Sequence, residues 1–165
     1  MVELVPNLLR QELARLAETD SRIDGRARFE GRKFELETDC LYNAEGSAKV
    51  TLGKTIVYAG VKFEIRTPWP DRPSEGSLMC GAELRPVAHR KYEPGPPSPE
   101  SIELGRVVDR GIRESGCIDM SSLCIVPGEK VWGVMIDIHV LSDGGNIFDA
   151  CGLAAIAALR TAIVP

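Results

Sequence analysis

An α+β fold is predicted by two observations on the sequence. Apolar periodicity or capping residues indicate three helices, at residues 6–19, 98–116 and 149–159. Alternating apolar and polar residues, with glycine-containing turns between them, indicate strands over residues 33–65 and 123–141. The elements therefore follow the order helix, strands, helix, hairpin, helix, which is typical of an α+β layering.

The first predicted helix spans residues 6–19. Pro6 suits the first helical position, because the N–H that proline lacks has no intrahelical partner there. Three leucines spaced four and three residues apart form one apolar stripe, namely Leu9, Leu13 and Leu16. Residues 22–26, Arg-Ile-Asp-Gly-Arg, then read as a turn in which Gly25 can adopt a left-handed conformation.

Strand signals begin at residues 33–39, where apolar and charged residues alternate. We expect one face of this strand to be buried and the other solvated, the buried side carrying Phe34, Leu36 and Thr38. Residues 47–65 read as two further strands joined at a tight turn around Gly53. The sequence therefore predicts an antiparallel hairpin behind the first strand.

The segment between residues 68 and 99 contains 8 of the 11 prolines, around a short strand candidate at 78–84. We interpret it as a long functional loop and not as a domain linker, since the flanking segments each need a partner to bury their apolar faces. Ser98 and Pro99 then suit the N-cap and first position of a helix that runs to about Gly116.

The last third of the chain reads as a hairpin followed by a helix. Residues 123–126 and 131–141 are joined by a Pro-Gly-Glu-Lys turn at 127–130. The turn at 142–146 leads into residues 149–159, whose small apolar side chains suit a helix packed closely on a sheet.

Size and charge restrict the class of protein. The chain has 165 residues, 44% of them hydrophobic, and its 20 Lys+Arg against 24 Asp+Glu give a net charge of −4. We expect one soluble cytoplasmic domain or part of one, because no stretch approaches the roughly 18 apolar residues of a membrane span. The first six residues also lack a basic region followed by an apolar one, so secretion is not expected. The mildly acidic balance also argues against a wholly basic nucleic-acid-binding domain, and any such binding would need a local patch.

The five cysteines are odd in number and form no Cys-x-x-Cys pair. Most lie inside apolar segments, so we expect buried free thiols in a reducing cytosol. Zinc is the alternative, but a zinc site needs closely spaced ligands, and the two histidines, His89 and His139, are far apart in the sequence. No metal site is predicted for the chain.

A stripe of arginines is the first candidate for function. At 100° per residue, Arg106, Arg110 and Arg113 fall close together on the predicted helix 98–116. The apolar residues of the opposite side are Leu104, Val107, Val108 and Ile112. Guanidinium groups suit bidentate phosphate contacts. The alternative is a solvated helix face that neighbouring carboxylates partly neutralise, and composition alone favours that alternative.

Two further groups could carry chemistry. Asp137 and His139 share the polar face of a strand, with Asp143 just beyond, and could hold a divalent metal or transfer a proton. Exposed polar positions on a one-sided sheet show the same pattern. Residues 128–130 and 143–146 could present backbone N–H groups to an anion, although both are also ordinary turns.

Six segments together resemble the ribonuclease PH family in order and register. They are residues 22–26, the hairpin at 46–55, Tyr-Glu-Pro-Gly-Pro-Pro at 92–97, the helix at 103–115, the turn at 127–132 and Asp-Gly-Gly-Asn at 143–146. The resemblance extends over essentially all 165 residues. The chain is most similar to the non-catalytic PH-type ring subunits of archaeal exosomes. This resemblance implies a mixed or antiparallel sheet packed against helices.

The sequence departs from the catalytic members of that family at the positions that carry their chemistry. Those members have two aspartates one residue apart on the last strand, but here His139 follows Asp137. They continue with Asp-Gly-Gly-Thr-Arg, where this chain has Asn146 and Ile147, and the link to Asp143 is one residue shorter. Their phosphate loop ends in Arg-Thr, where residues 130–131 are Lys-Val, which removes the planar fork that binds phosphate.

The resemblance therefore implies a subunit without catalytic residues or a cofactor of its own. It would pair with a catalytic PH-type subunit in a hetero-hexameric ring, where phosphate and Mg²⁺ belong to the partner's active site, and it would meet RNA-binding cap subunits. It also implies RNA contact for some of Arg106, Arg110 and Arg113, while His139 and Asp143 would be structural. An active phosphorolytic exoribonuclease and a purely structural ring subunit are the alternatives.

Length is the last departure, because PH-type units are appreciably longer than 165 residues. We therefore expect residues 1–165 to be the N-terminal portion of a single ribonuclease PH-like domain, incomplete at the C-terminus.

Overall fold

A computed structural model describes residues 6–165. Residues 1–5, on which the expectation of no secretion signal partly rests, lie outside the described residues. The chain divides into two compact units, one ending at Lys33 and one spanning Phe34–Pro165. Within the described part, none of the helices combines the length and apolar character that crossing a membrane requires.

The first unit contains helix α1, Pro6–Glu18, as predicted. The turn that follows is closed by hydrogen bonds from the Arg22 amide to the Arg26 carbonyl (3.1 Å) and from the Gly25 amide to the Arg22 carbonyl (2.9 Å). Gly25 has a φ of 81°, the left-handed conformation expected of it. The Arg22 guanidinium donates to the Arg28 carbonyl at 2.6 Å, which holds the segment after the turn in place.

The second unit is a six-stranded sheet with two α-helices and a short 3-10 helix, Met120–Leu123, before β5. Its elements in chain order are β1 (Phe34–Thr38), β2 (Gly46–Leu52), β3 (Thr55–Arg66), β4 (Ser77–Leu84), α2 (Pro99–Ser115), β5 (Cys124–Val126), β6 (Lys130–Ser142) and α3 (Ile147–Thr161). The strand order is β1-β2-β3-β6-β4, and β5 pairs with the start of β6. The predicted α+β fold and both predicted hairpins are confirmed.

Strand β4 makes the sheet mixed, since it runs parallel to β6 while β3 runs antiparallel on the other side. A parallel pair needs a crossover connection, and the segment from β4 through α2 supplies it. The parallel register aligns Gly81 with Asp137 and Glu83 with His139. The neighbouring strands β4 and β6 therefore have polar side chains, those of Glu83, Asp137 and His139, on the same face of the sheet.

The core lies between one face of the sheet and helices α2 and α3. The strands contribute β-branched residues with little or no exposure, among them Val50, Val57, Val61, Ile136 and Ile138. Helix α3 contributes small side chains, among them Ala150, Cys151, Ala154, Ala155 and Ala158. Small side chains let the helix lie close to the sheet, as the sequence predicted.

The limits of α2 also follow the prediction. The Ser98 hydroxyl accepts a hydrogen bond from the Ser101 amide at 3.2 Å, and Pro99 is the first helical residue. At the other end Gly116 has a φ of 65° and closes the helix in the left-handed conformation. Helix α3 begins at Ile147, two residues before its predicted start.

The expectation of a half-buried strand at 33–39 is wrong. All five residues of β1 are exposed, and Phe34 and Leu36 each retain 46% of their accessible surface. The strand forms and pairs with β2, but it lies at the edge of the sheet, and α3 packs mainly over β2 and β3. Alternation predicts which residues share a face, but it does not predict whether another layer covers that face.

Two other burial predictions fail in part. On α2, Val107 is 49% exposed, and Gly105 takes its place on the buried side. Among the cysteines, all of which are free, only Cys151 is buried, whereas Cys117 is exposed and the other three are partly buried. Burial raises the pKa of the Cys151 thiol to about 12, so it is inert at neutral pH.

Candidate nucleic-acid interface

Helix α2 presents its arginines away from the core. Its buried side is formed by Ser101, Leu104, Gly105, Val108 and Ile112. A Cβ atom added at Gly105 would lie 3.2 Å from the Cys80 carbonyl oxygen and 3.3 Å from the Ala82 nitrogen, so the helix backbone lies directly against β4. This close approach fixes the rotation of the helix and places Arg106 and Arg110 on the exposed side.

Arg106 and Arg110 are the two cations that this face leaves accessible. Across residues 6–165, the Arg106 guanidinium has no hydrogen bond or ion pair. Arg110 forms one loose ion pair, 3.7 Å to Glu114, in which the two side chains are 72% and 69% exposed. Such exposed pairs contribute little free energy, so an anion can compete for Arg110.

Arg113 belongs to the same stripe in the sequence but has a different environment. Its Nε and Nη2 atoms donate to both carboxylate oxygens of Asp109 at 3.0 and 2.9 Å, and Nη2 also donates to the Leu78 carbonyl at 3.0 Å. The hydrogen bonds to Asp109 raise the pKa of Arg113, while its partial burial acts in the opposite direction. The side chain therefore ties α2 to β4.

A shallow apolar groove of about 530 Å³ follows the exposed side of α2. It is lined by Pro99, Ile102, Glu103, Arg106, Val107 and Arg110. Ile102 is 51% exposed and Val107 is 49% exposed. The groove thus combines two accessible guanidinium groups with aliphatic surface.

The three residues considered for proton transfer or metal binding do not share one environment. Asp137 and His139 lie on the open face of β6, as predicted. The His139 Nδ1 atom is 3.4 Å from an oxygen of Glu83, and the same carboxylate accepts from Arg85 Nε at 2.8 Å. Within the described residues, no group of three or more metal-ligating side chains forms a candidate metal site.

Asp143 belongs to a different cluster, in which Asp143 and Tyr92 are largely buried while Lys91 and Glu100 are nearly half exposed. Its carboxylate accepts hydrogen bonds from the Tyr92 hydroxyl (2.8 Å) and the Gly145 amide (2.9 Å), and it lies 3.3 Å from the Lys91 ammonium. Burial alone would raise the pKa of Asp143, but these three donors outweigh it, so the pKa lies below its ordinary value. Burial and the neighbouring carboxylate together raise the pKa of Tyr92 to about 12.

This cluster of Lys91, Tyr92, Glu100 and Asp143 connects three segments of the chain. Lys91 also donates to Glu100 in the first turn of α2, at 3.0 Å. The proline-rich segment, the start of α2 and the link from β6 to α3 are therefore fixed to one another. The resemblance implied a structural role for Asp143, but Lys91 and Tyr92 were missed, and the position of Tyr92 inside a recognised motif segment was the one available signal.

The two candidate anion loops use their amides internally. The Gly128 amide donates to the Pro73 carbonyl at 2.8 Å. The Gly144 amide donates to the Thr55 hydroxyl at 3.0 Å, and the Gly145 amide donates to Asp143. Neither turn resembles a nest of free N–H groups, so the geometry does not favour anion binding at either loop.

Replacing Asp143 by asparagine is expected to lower the free energy of unfolding by about 2 kcal/mol at pH 7, because hydrogen bonds to a charged group are removed from a buried place. A depressed pKa contributes stability above the unfolded value of about 3.9, and this contribution disappears as the pH falls through the folded value. The difference in the free energy of unfolding between the parent protein and the Asp143→Asn variant should therefore become smaller below about pH 4. Urea denaturation between pH 3 and 7 measures it.

Asp137→Asn is the matched control, because Asp137 is an exposed carboxylate on the preceding strand. We expect its free energy of unfolding to stay within about 0.5 kcal/mol of the parent. An Asp143→Asn variant as stable as this control at pH 7 would contradict a structural role for the cluster.

Comparison with known proteins identifies relatives over nearly the whole chain. Residues 30–165 match the family model described as the 3′ exoribonuclease family, domain 1, or RNase PH. The exosome complex component Rrp42 of Methanosarcina acetivorans is 53% identical over 165 residues, which are 100% of this chain and 62% of the relative. The chain thus spans less than two thirds of the length of that curated relative.

Solved structures give the same result for the fold. A chain of the Archaeoglobus fulgidus exosome with RNA bound to the active site matches with a TM-score of 0.92 and 51% identity, covering 96% of this chain and 62% of that one. A chain of an archaeal exosome core matches with a TM-score of 0.84 and 47% identity, covering 96% and 60%. The sheet and helices described above are those of this fold.

Proposed function

The chain belongs to the 3′ exoribonuclease family with the RNase PH domain, and from this premise we propose that it acts as a non-catalytic ring subunit of an archaeal exosome. In this role it contributes RNA-binding residues to 3′-to-5′ phosphorolytic RNA degradation by a catalytic partner. The relatives named as exosome components and the RNA-bound exosome structure support the assignment.

The observation that carries the RNA-binding part is the environment of Arg106 and Arg110. One guanidinium is without a partner among residues 6–165, and the other has a loose partner. They lie four residues apart, and therefore about 6 Å along the helix. Exposed guanidinium groups one helical turn apart suit neighbouring phosphates of one strand. Arg113 is the weaker candidate, because Asp109 and Leu78 already occupy its donors.

The absence of catalysis is supported by what surrounds the residues at the family's catalytic positions. Phosphorolysis needs a phosphate fixed in line with the scissile ester and an acid or a metal-held group at the leaving oxygen. Here His139 pairs with Glu83, and Asp143 is held by Tyr92 and Lys91. The interactions of Asp143 hold it in a structural network, whereas His139 stands where the family has its second aspartate and offers no carboxylate there.

The partners of this role follow from the same proposal. A catalytic PH-type subunit shares the hetero-hexameric ring and holds phosphate and Mg²⁺ at its own active site. RNA-binding cap subunits meet the ring, and the complex works in the cytoplasm. The chain itself needs no cofactor for these tasks.

Phosphorolysis assays test the proposal directly. The chain incubated with single-stranded RNA, phosphate and Mg²⁺ is expected to release no nucleoside diphosphates. Addition of a catalytic PH-type subunit from a related archaeon is expected to give a co-purifying complex that degrades RNA faster than that subunit alone. Nucleoside diphosphates released by the chain alone would contradict the non-catalytic assignment, and failure to co-purify would contradict the ring assignment.

A further inference from the structure

Helix α1 has an apolar stripe that the described chain leaves exposed. At 100° per residue, Leu9, Leu13 and Leu16 fall within about 60° of one another. Leu8, Leu9 and Leu13 are 65%, 51% and 47% exposed, Leu16 is partly buried, and no residue of 7–18 belongs to the hydrophobic core of the described chain. An isolated helix of 13 residues is marginal in water, since tertiary packing normally stabilises it. The stripe therefore calls for an apolar partner.

The charges of α1 border this stripe and do not interrupt it. Glu12 lies about 70° to one side of its middle, and both carboxylate oxygens accept from Arg15, at 3.0 and 2.7 Å. Arg10 lies about 90° to the other side, while Gln11 and Glu18 lie opposite the stripe. An apolar centre with a charged rim is the arrangement of a protein interface. We therefore expect a protein against the stripe.

Helix α1 lies outside the domain that the family model matches. That model covers residues 30–165, whereas the alignment with the Methanosarcina acetivorans exosome component extends over all 165 residues. The segment that contains α1 is thus shared with an exosome component in addition to the RNase PH domain. This distribution favours a role in assembly.

The size of α1 restricts its partner further. A helix of 13 residues is about 20 Å long and about 10 Å wide, so one face offers roughly 200 Å². A stable protein interface needs about 800 Å² from each side. The stripe can therefore extend an interface but not form one alone, so its partner must be held to the chain by other contacts as well. A second copy bound only through α1 does not meet this condition, whereas a ring subunit does.

Net charge distinguishes the partners proposed above. Residues 6–33 contain seven Lys+Arg against five Asp+Glu, a net charge of +2. An RNA-binding cap subunit needs a basic surface of its own, which would repel this unit. The catalytic subunit needs such a surface only around its active site. The charge of the first unit therefore favours the catalytic subunit.

We propose that the stripe of Leu9, Leu13 and Leu16 packs into an apolar groove of the neighbouring catalytic PH-type subunit. The inference rests on the ring assignment proposed above and adds a docking element to it. Helix α1 gains its packing only when docked, so assembly should slow amide hydrogen exchange in residues 9–16.

Calorimetric titration of the full chain with a catalytic PH-type subunit from a related archaeon tests this docking. Leu9→Ser and Leu13→Ser are each expected to weaken the affinity about tenfold, and the double variant about a hundredfold, since a half-exposed leucine still has apolar surface to bury. The denaturation midpoint of the free chain should not change, because these side chains bury little there.

Gln11→Ser is the matched control, because it introduces the same residue on the opposite side of the same helix. It should leave the affinity unchanged. A double variant that binds the catalytic subunit as tightly as the parent would overturn the docking and leave the ring assignment intact, whereas no binding by the parent rejects both. A lower denaturation midpoint of the free double variant would place the stripe inside the chain's own fold and overturn the inference. So would a loss confined to binding of a cap subunit, or a dimer of the parent that the double variant does not form.

Discussion

Replacing Arg106 and Arg110 together by glutamine is expected to weaken RNA binding of the assembled complex by about two orders of magnitude, or tenfold for each charge-assisted hydrogen-bonded pair. The physical reason is that Arg106 has no partner within residues 6–165 and Arg110 has only a loose, exposed one, so their removal is not masked by a protein partner. The slope of log affinity against log salt should fall by about 0.7 for each phosphate of a single strand that is no longer neutralised. Binding titrations at several salt concentrations measure both quantities.

Arg113→Gln is the control for this experiment, because it removes the same charge from the same helix. Its donors are occupied by Asp109 and the Leu78 carbonyl, so we expect the salt slope to remain that of the parent. The substitution should instead lower the free energy of unfolding by about 1 kcal/mol. An unchanged salt slope in the double variant would favour a purely structural ring subunit.

The order and limits of the elements could be predicted because their signals are local. Ser98, Pro99 and Gly116 determine the two ends of α2 through hydrogen bonds and backbone angles within a few residues. Gly53 does the same for the turn between β2 and β3, where its φ is 63°. Such signals require no knowledge of what lies across the sheet.

Burial could not be predicted at the sheet edge, because it depends on layers built from distant parts of the chain. The alternation in β1 is present, yet Phe34 and Leu36 remain exposed, since α3 packs mainly over the next two strands. The parallel pairing of β4 with β6 could not be predicted for the same reason. It joins Ser77 to Gly133, 56 positions further along, and no local pattern encodes that pairing.

In the candidate site, too, local features could be predicted from the sequence and long-range contacts could not. A helical wheel groups Arg106, Arg110 and Arg113 correctly, but it carries no information about the Leu78 carbonyl that Arg113 reaches from α2. The hydrogen bond between Tyr92 and Asp143 joins residues 51 positions apart and was equally hidden. Sequence periodicity therefore identified the charged face, and the packing of α2 on β4 determines which of its charges are available.

Replacing Gly46 by alanine is expected to lower the free energy of unfolding by about 3 kcal/mol, because overpacking at a site without room costs this much. Gly46 is the first residue of β2, and the C-terminal end of α3 lies directly on it. An added Cβ would overlap the Ala158 carbonyl oxygen and lie 2.6 Å from the Ala162 Cα atom. Both are backbone atoms, so relief requires the helix to move as a unit.

That movement would break further hydrogen bonds at the same place. The Ile163 amide donates to the Glu45 carbonyl at 3.1 Å, and the Ser47 amide donates to the Thr161 hydroxyl at 3.3 Å. We therefore expect faster amide hydrogen exchange in the last turn of α3 in addition to a lower denaturation midpoint. Both are measurable on the same Gly46→Ala sample.

Gly152→Ala in the middle of α3 separates this steric effect from the general effect of replacing a glycine. Beyond the neighbouring residues and the helix's own backbone, no atom lies within 4 Å of a Cβ added there, so alanine should raise the free energy of unfolding by about 0.8 kcal/mol through its helix propensity. The two substitutions insert the same methyl group and are expected to act with opposite signs. Equal effects would mean that α3 does not approach β2 as closely as Gly46 indicates, and the small side chains of the helix would then need another explanation.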